Sequence, residues 1–256
     1  MSTESSPISF FLLRGLGREV RHWGEFCNLL EKTRSHFKVV PLEIPGSGVL
    51  RGKLSPISTD GYVEELRTQY IRKIQPNNIN IILGLSFGGM IAARWINDFP
   101  TDFHGAILIN TSGRPSPYYK RLRVSAAITL LIAAFHRNGY HREKKITSLI
   151  CNLVDTEDLA RKWQIIAESA PVSSTNMLRQ LYTAAKFSLP SQTTLPSLLL
   201  CSTKDRLVAA DCSHSIAAAW NISLIPHPTA GHDLTTDDPD WCITQVLSWL
   251  PNVHSR

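Results

Sequence analysis

Cysteine is scarce and poorly placed for cross-linking. The 256 residues hold five (Cys27, Cys151, Cys201, Cys212 and Cys242), an odd number without a C-x-x-C pair. A disulfide framework or a zinc site is therefore not expected, and a reducing, cytoplasmic setting is the simpler one. Cys27, Cys151, Cys201 and Cys242 stand in apolar surroundings and read as small buried hydrophobes. Long apolar runs are missing too, since the stretch Val124–Phe135 is too short to span a bilayer and suits a buried or covering helix. The opening MSTESSPISFFLLRG has no basic segment and carries Glu4, so it does not read as a secretory signal. Internal repeats, low-complexity segments and metal-ligand spacings are absent. Gly15-x-Gly17 hints at a dinucleotide fingerprint, but Val20 occupies the place of the third glycine. No metal, cofactor or nucleic-acid partner is expected.

What remains is an ordinary globular composition, 43% hydrophobic and 19% charged, with a formal net charge of +6. That excess permits an acidic partner or an anionic membrane and demands neither. The length suits one core with a modest insertion. Short apolar runs alternate with longer amphipathic ones, as strands alternate with helices in α/β proteins. Strands are expected at 8–13, 37–42, 79–83, 105–109, 197–201 and 222–225. Helices are expected from near Arg21, over 61–74, over 87–98 and over 241–249. Between 114 and 188 the pattern is helical and charged without a convincing strand. It reads as a helical insertion in a continuing parallel sheet, leaving 1–113 and 189–256 as the core.

Gly84-Leu85-Ser86-Phe87-Gly88-Gly89 falls between an apolar strand and a helix. A serine hydroxyl is a poor nucleophile unless it is presented and deprotonated by a neighbour. A sharp strand-to-helix turn presents it, and its strained, closely packed backbone demands small residues such as Gly84, Gly88 and Gly89. The base and its orienting acid are expected on loops after later strands. His232 lies in the Gly231-His232 turn, after the last strand and before the closing helix. Asp205 follows the 197–201 strand, giving the chain order Ser, Asp, His. His227 is a weaker candidate base because it falls too soon after its strand, between two prolines. Asn110-Thr111-Ser112-Gly113, after the fourth strand, offers no acid.

With these residues the chain resembles the α/β-hydrolase superfamily over nearly its whole length outside the insertion. The marks are the Ser86 elbow, Lys204-Asp205-Arg206, Gly231-His232, and Ile44-Pro45-Gly46-Ser47-Gly48 after the second strand. Glu43 stands where the family usually has aspartate. The resemblance implies a mostly parallel sheet flanked by helices, with 114–188 as a helical cap over the site. It also implies an oxyanion hole built from the backbone N–H groups of Leu16 and Phe87. The family usually carries His-Gly after its first core strand, whereas this chain reads Arg14-Gly15. Backbone donors make that exchange tolerable. Arg14 either holds the loop through carbonyl hydrogen bonds or reaches an anionic group of a substrate. Arg14 and Leu85 are candidate substrate contacts, as are Phe87, Tyr118, Tyr119 and Phe135.

Hydrolysis of a carboxylic ester or thioester is the expected reaction. Carbon–carbon bond hydrolysis, acyl transfer and perhydrolysis would use the same parts, and a ligand-binding scaffold is the non-enzymatic alternative. The cap region carries Lys120, Arg121, Arg123, Arg137, Arg142, Lys144 and Lys145 beside the apolar run Val124–Phe135. Either this is a solvated charged face, or it docks an acidic acyl carrier or an anionic membrane.

Overall fold

The computed structural model describes residues 6–136, 138–250 and 253. Arg137, one of the cations singled out between 114 and 188, and residues 1–5, which include Glu4, lie outside them. The strands are β1 (Ile8–Leu13), β2 (Phe37–Leu42), β3 (Ile79–Leu85), β4 (Gly105–Ile109), β5 (Ser197–Ser202) and β6 (Leu224–His227). They form one sheet in the order β2-β1-β3-β4-β5-β6, and every pairing is parallel. Parallel strands need a crossover, and those crossovers place helices on both faces. The helices are α1 (Phe26–Lys32), α2 (Thr59–Ile71), α3 (Phe87–Asp98), α4 (Tyr118–Arg121), α5 (Val124–Phe135), α6 (Gly139–Ile150), α7 (Thr156–Ser169), α8 (Ser174–Lys186), α9 (Asp211–Trp220), α10 (Leu234–Asp237) and α11 (Pro239–Trp249).

Side-chain alternation along β1 divides the core. Phe11 and Leu13 pack with Tyr62, Val63 and Leu66 of α2, Ile91 and Trp95 of α3, and Ile216 of α9. Ile8, Phe10 and Leu12 face the other way, onto Phe26 and Leu30 of α1 and Cys242, Val246 and Trp249 of α11. All six β1 residues are buried, as a strand covered on both faces should be.

Between β4 and β5 the chain runs through α4 to α8, with a small core of its own around Ala126, Leu149, Ile150, Cys151 and Trp163. Its contacts with the rest fall on loops after strands. The Gly17 N–H donates to Gln180 of α8 at 2.8 Å, and the Ser55 N–H to Asn176 at 2.9 Å. Arg18 meets Glu143 of α6 at 2.8 Å, and Arg206 donates to the Cys151 carbonyl at 2.8 Å. These helices therefore lie over the carboxyl ends of the strands, where open α/β sheets place their sites.

Several element boundaries differ from the sequence reading, among them α2, which runs from Thr59 to Ile71 rather than over 61–74. Only a 3-10 turn, Val20–Trp23, forms near Arg21, because Gly24 at φ +54° breaks the run before α1. β3 continues to Leu85, since Gly84 and Leu85 remain paired with Leu108 and Ile109. β6 starts later and includes Pro226, which an edge strand tolerates because its outer side needs no donor. Among the described residues no helix is long and apolar enough to cross a membrane. All five cysteines are free thiols.

Candidate active site

Ser86 sits between β3 and α3 at φ +55°, ψ −115°, a region side-chain-bearing residues rarely occupy. The surrounding contacts hold it there. Its N–H donates to the Ile109 carbonyl at 2.8 Å, and its carbonyl accepts from the Thr111 hydroxyl at 2.7 Å and the Gly89 N–H at 2.9 Å. Strain of about 1–3 kcal/mol persists only where such bonds over-determine the conformation. The glycines are sterically required. A Cβ on Gly88 would stand 2.1 Å from the Leu13 carbonyl oxygen, and one on Gly84 2.5 Å from the Gly88 carbonyl oxygen. Ser86 is half-buried between the buried Leu85 and Phe87.

His232 and Asp205 come together in the turns after β6 and β5. The imidazole Nδ1 lies 2.7 Å from Asp205 Oδ2, and both residues are buried. The other carboxylate oxygen, Oδ1, accepts the N–H groups of Leu207 (2.7 Å) and Val208 (2.9 Å), which fixes the plane of the carboxylate. A carboxylate only accepts, so Nδ1 carries the proton and Nε2 is left as the basic nitrogen. His227 is the last residue of β6, and its ring is committed elsewhere. Its Nδ1 accepts the Ala230 N–H at 2.9 Å and its Nε2 donates to Asp238 at 3.1 Å.

The loop after β1 passes beside the serine. A Cβ on Gly15 would lie 3.6 Å from that of Ser86, and the next N–H along the loop belongs to Leu16. Phe87 opens α3, so its amide belongs to the electropositive helix end, while its ring is buried edge-on against Tyr62. Neither Arg14 nor Leu85 is placed to meet a substrate. Leu85 is 2% exposed and packs into the core face shared with α11. Arg14 is 1% exposed, and its guanidinium forms a two-pronged pair with Asp233 at 2.5 and 3.2 Å. The rings of Trp23 and Trp163 flank it at 4.8 and 5.8 Å. Arg14 thus holds its loop through a carboxylate rather than through carbonyls. Burial alone would push the Asp233 carboxyl up, but the Arg14 charge and its hydrogen bonds hold it below the ordinary value. Tyr118, Tyr119 and Phe135 are exposed on the outer surface rather than lining an enclosed pocket. Of the cations singled out between 114 and 188, Arg121 is buried and donates to the Ala184 and Ala185 carbonyls, so it is not available to a partner.

The sequence reading passed over Asn110, having searched its segment only for an acid. At φ +46°, its amide nitrogen donates to the His232 carbonyl at 2.8 Å and the Ser202 hydroxyl at 3.1 Å. Its amide oxygen accepts the Ser202 N–H at 2.8 Å. It therefore ties together the ends of β4 and β5 and the turn carrying His232. Asp237 does similar work, accepting from the Gly231, Asn152 and Leu153 N–H groups at 2.6 to 3.0 Å.

Comparison with known proteins bears on the fold and the family. The chain is 24% identical over 247 residues, 93% of its own length and 89% of the relative's, to the protein named "Putative carbamate hydrolase RutD" from Serratia proteamaculans (strain 568). Among solved structures, "Putative non-heme bromoperoxidase BpoC" from Mycobacterium tuberculosis H37Rv superposes with a TM-score of 0.76 at 19% identity, over 98% of this chain and 94% of that one. A thermophilic esterase from Thermogutta terrifontis superposes with a TM-score of 0.72 at 16% identity, over 98% and 92%. The sequence model of the alpha/beta hydrolase family matches residues 10–245, and the chain belongs to that family.

Proposed function

We propose that the protein is a serine hydrolase that cleaves a small-molecule carboxylic ester or thioester through an acyl-enzyme, without a cofactor. The observation that carries this reading is the 2.7 Å Nδ1–Asp205 bond, which leaves Nε2 of His232 as a base, in a chain that also builds the strained Ser86 elbow. Ser86 attacks the acyl carbon while His232 takes its proton. Asp205, its plane set by two amides, orients the imidazole and stabilises the imidazolium. The Leu16 and Phe87 N–H groups receive the developing oxyanion, and losing one such donor costs about 3–4 kcal/mol of barrier. His232 then protonates the leaving group and activates the water that releases the acid. The helices of 114–188 act as the cap that shapes the acyl pocket. The esterase and carbamate hydrolase names among the similar proteins are in keeping with this chemistry. Five free thiols favour a reducing, cytoplasmic setting.

Covalent labelling by a fluorophosphonate tests the assignment. Wild-type protein should be labelled and Ser86→Ala should not; an unlabelled wild type removes Ser86 as the nucleophile. Turnover of nitrophenyl esters of graded acyl length then separates ester hydrolysis from carbon–carbon cleavage.

A further inference from the structure

Three faces can be distinguished on α5. Ala126 and Ala133 are buried. Ser125 and Thr129, with His136 just past the helix end, line a cavity of about 980 Å³ shared with α6 and the turn after β5. The outer face carries Val124, Ile128, Leu131, Ile132 and Phe135, between 48% and 80% exposed. Their spacing, i, i+4, i+7, i+8 and i+11, places them on a single stripe. A soluble domain gains nothing from a contiguous apolar stripe left in water, so such a surface marks an interaction site.

The cavity beside the stripe is cationic. Arg123, Lys144, Lys145, Lys204 and Arg206 line it, and its one acid, Asp205, is already bound to His232 and two amides. Lys144 pairs with Glu157 at 2.5 Å. Among the described residues the other four form no ion pair: the neighbouring pairs belong to Lys120, Arg142 and Lys162.

We propose that the α5–α6 face docks on an anionic phospholipid surface. The stripe enters the acyl-chain boundary, and the cationic cavity receives lipid phosphate headgroups. A bilayer interface offers both complements, apolar chains and fixed negative charge, side by side. An acidic carrier protein would neutralise the cations and leave the stripe in water. A second copy of this chain would cover the stripe but, across a two-fold axis, bring one cationic cavity close to another. Resting on the hydrolase reading, this assigns the substrate to the lipid phase: an ester carried by, or dissolved in, an anionic bilayer.

Sedimentation with vesicles tests the docking separately from the chemistry. Wild-type protein and Ser86→Ala are both spun with equimolar phosphatidylglycerol–phosphatidylcholine vesicles and with pure phosphatidylcholine vesicles. Both proteins should pellet with the anionic vesicles only, and salt should release them. Ile128→Glu and Leu131→Glu should each raise the lipid needed for half-binding by about tenfold or more while hydrolysing a water-soluble nitrophenyl ester at the wild-type rate. That rate also certifies their folding. Removing Lys145 or Lys204, which line the cavity and form no ion pair among the described residues, should cost about fivefold each. The proposal is overturned if wild type stays in the supernatant with anionic vesicles at low salt, or if the two glutamate variants bind like wild type. It is equally overturned if wild type is a dimer that Leu131→Glu dissociates and binds no vesicle. Vesicle binding by a wild type that hydrolyses no ester would instead defeat the hydrolase reading and leave the docking intact.

Discussion

Replacing Arg14 by methionine removes one member of a buried ion pair and keeps most of the side-chain volume. Asp233, 2% exposed, would then retain no cationic partner, only neutral donors: the Thr235 hydroxyl at 3.1 Å to its Oδ1, and Thr236. Stranding a buried carboxylate in this way costs about 3–5 kcal/mol. At about 2–4 °C per kcal/mol for a chain of this size, Tm should fall by about 6–20 °C. The second substitution, Asp233→Asn, should recover most of the loss, because a neutral amide leaves no charge to desolvate. The dependence on pH has a definite sign. In the wild type Asp233 is held below the ordinary carboxylate value, so its contribution is present above that value and is lost as pH falls through the folded one. Without Arg14, burial pushes the carboxyl up instead. The folded variant then binds a proton that the unfolded chain does not, and its deficit shrinks as pH is lowered from about 7 towards about 4. Calorimetry of the wild type and both variants at pH 7 and pH 5, with kcat/KM alongside, decides the matter. A Tm change under about 2 °C, or an equal deficit at both pH values, refutes the pairing argument. A loss of kcat/KM with stability untouched would return Arg14 to the substrate.

In Asp205→Asn, the Leu207 and Val208 N–H groups require the amide oxygen at the Oδ1 position, which turns the NH2 towards His232 Nδ1. The imidazole proton must then sit on Nε2, the wrong tautomer for a base, and kcat should drop by about 10⁴ with little change in KM; a loss under tenfold in steady-state kinetics argues against that role. Asn110→Ala strands the Ser202 N–H and the His232 carbonyl and forces alanine to a positive φ, for about 2–4 kcal/mol of stability in urea unfolding. A change below about 1 kcal/mol would remove Asn110 as the tie. Glu43, buried beside Glu19, is pushed up to about 7 by burial and by the Glu19 charge. Its folded value exceeds its unfolded one, so stability should decline as pH rises from about 4.5 to about 7 and level off above, by on the order of 3 kcal/mol. Glu43→Gln should flatten that decline and be more stable than wild type at pH 8; denaturation curves at pH 5 and pH 8 showing no difference between the two proteins would defeat it.

Strand positions were legible because a strand buried on both faces is a nearly unbroken apolar run, and few other local structures produce one between turn residues. The boundaries missed had local causes that composition does not express. Gly84 reads as punctuation, yet its ladder with Leu108 carries the strand through it to Leu85. Pro226 reads as a strand breaker, yet β6 is the edge, where a missing donor costs nothing. Ser86 and its neighbours stood out because an elbow restricts residue size at fixed offsets, and a steric restriction of that kind is written into the sequence. Arg14 and Asp233 are 219 positions apart, and nothing at either position names the other. Asn110 could have been found by asking which residue after β4 tolerates a positive φ and offers both a donor and an acceptor.

The residues that motifs identify are presented by residues that motifs omit. Arg14 ties the loop ahead of Leu16 to Asp233, the residue after His232, so the backbone beside Ser86 and the turn carrying His232 share one buried ion pair. Asn110 fastens the same turn to the end of β5, a few residues before Asp205. Asp237 joins Gly231 to Asn152 and Leu153, just past α6, and a Cβ on Gly231 would stand 2.4 Å from the Ile150 carbonyl oxygen. The inserted helices therefore cannot shift at 150–153 without disturbing the turn that holds His232. Because α6 also supplies a wall of the cationic cavity, a ligand in that cavity and the orientation of the imidazole act on one connected piece of backbone. The link runs through the Asp237 carboxylate and through backbone, where the Asp233 N–H donates to the Ile150 carbonyl at 2.9 Å.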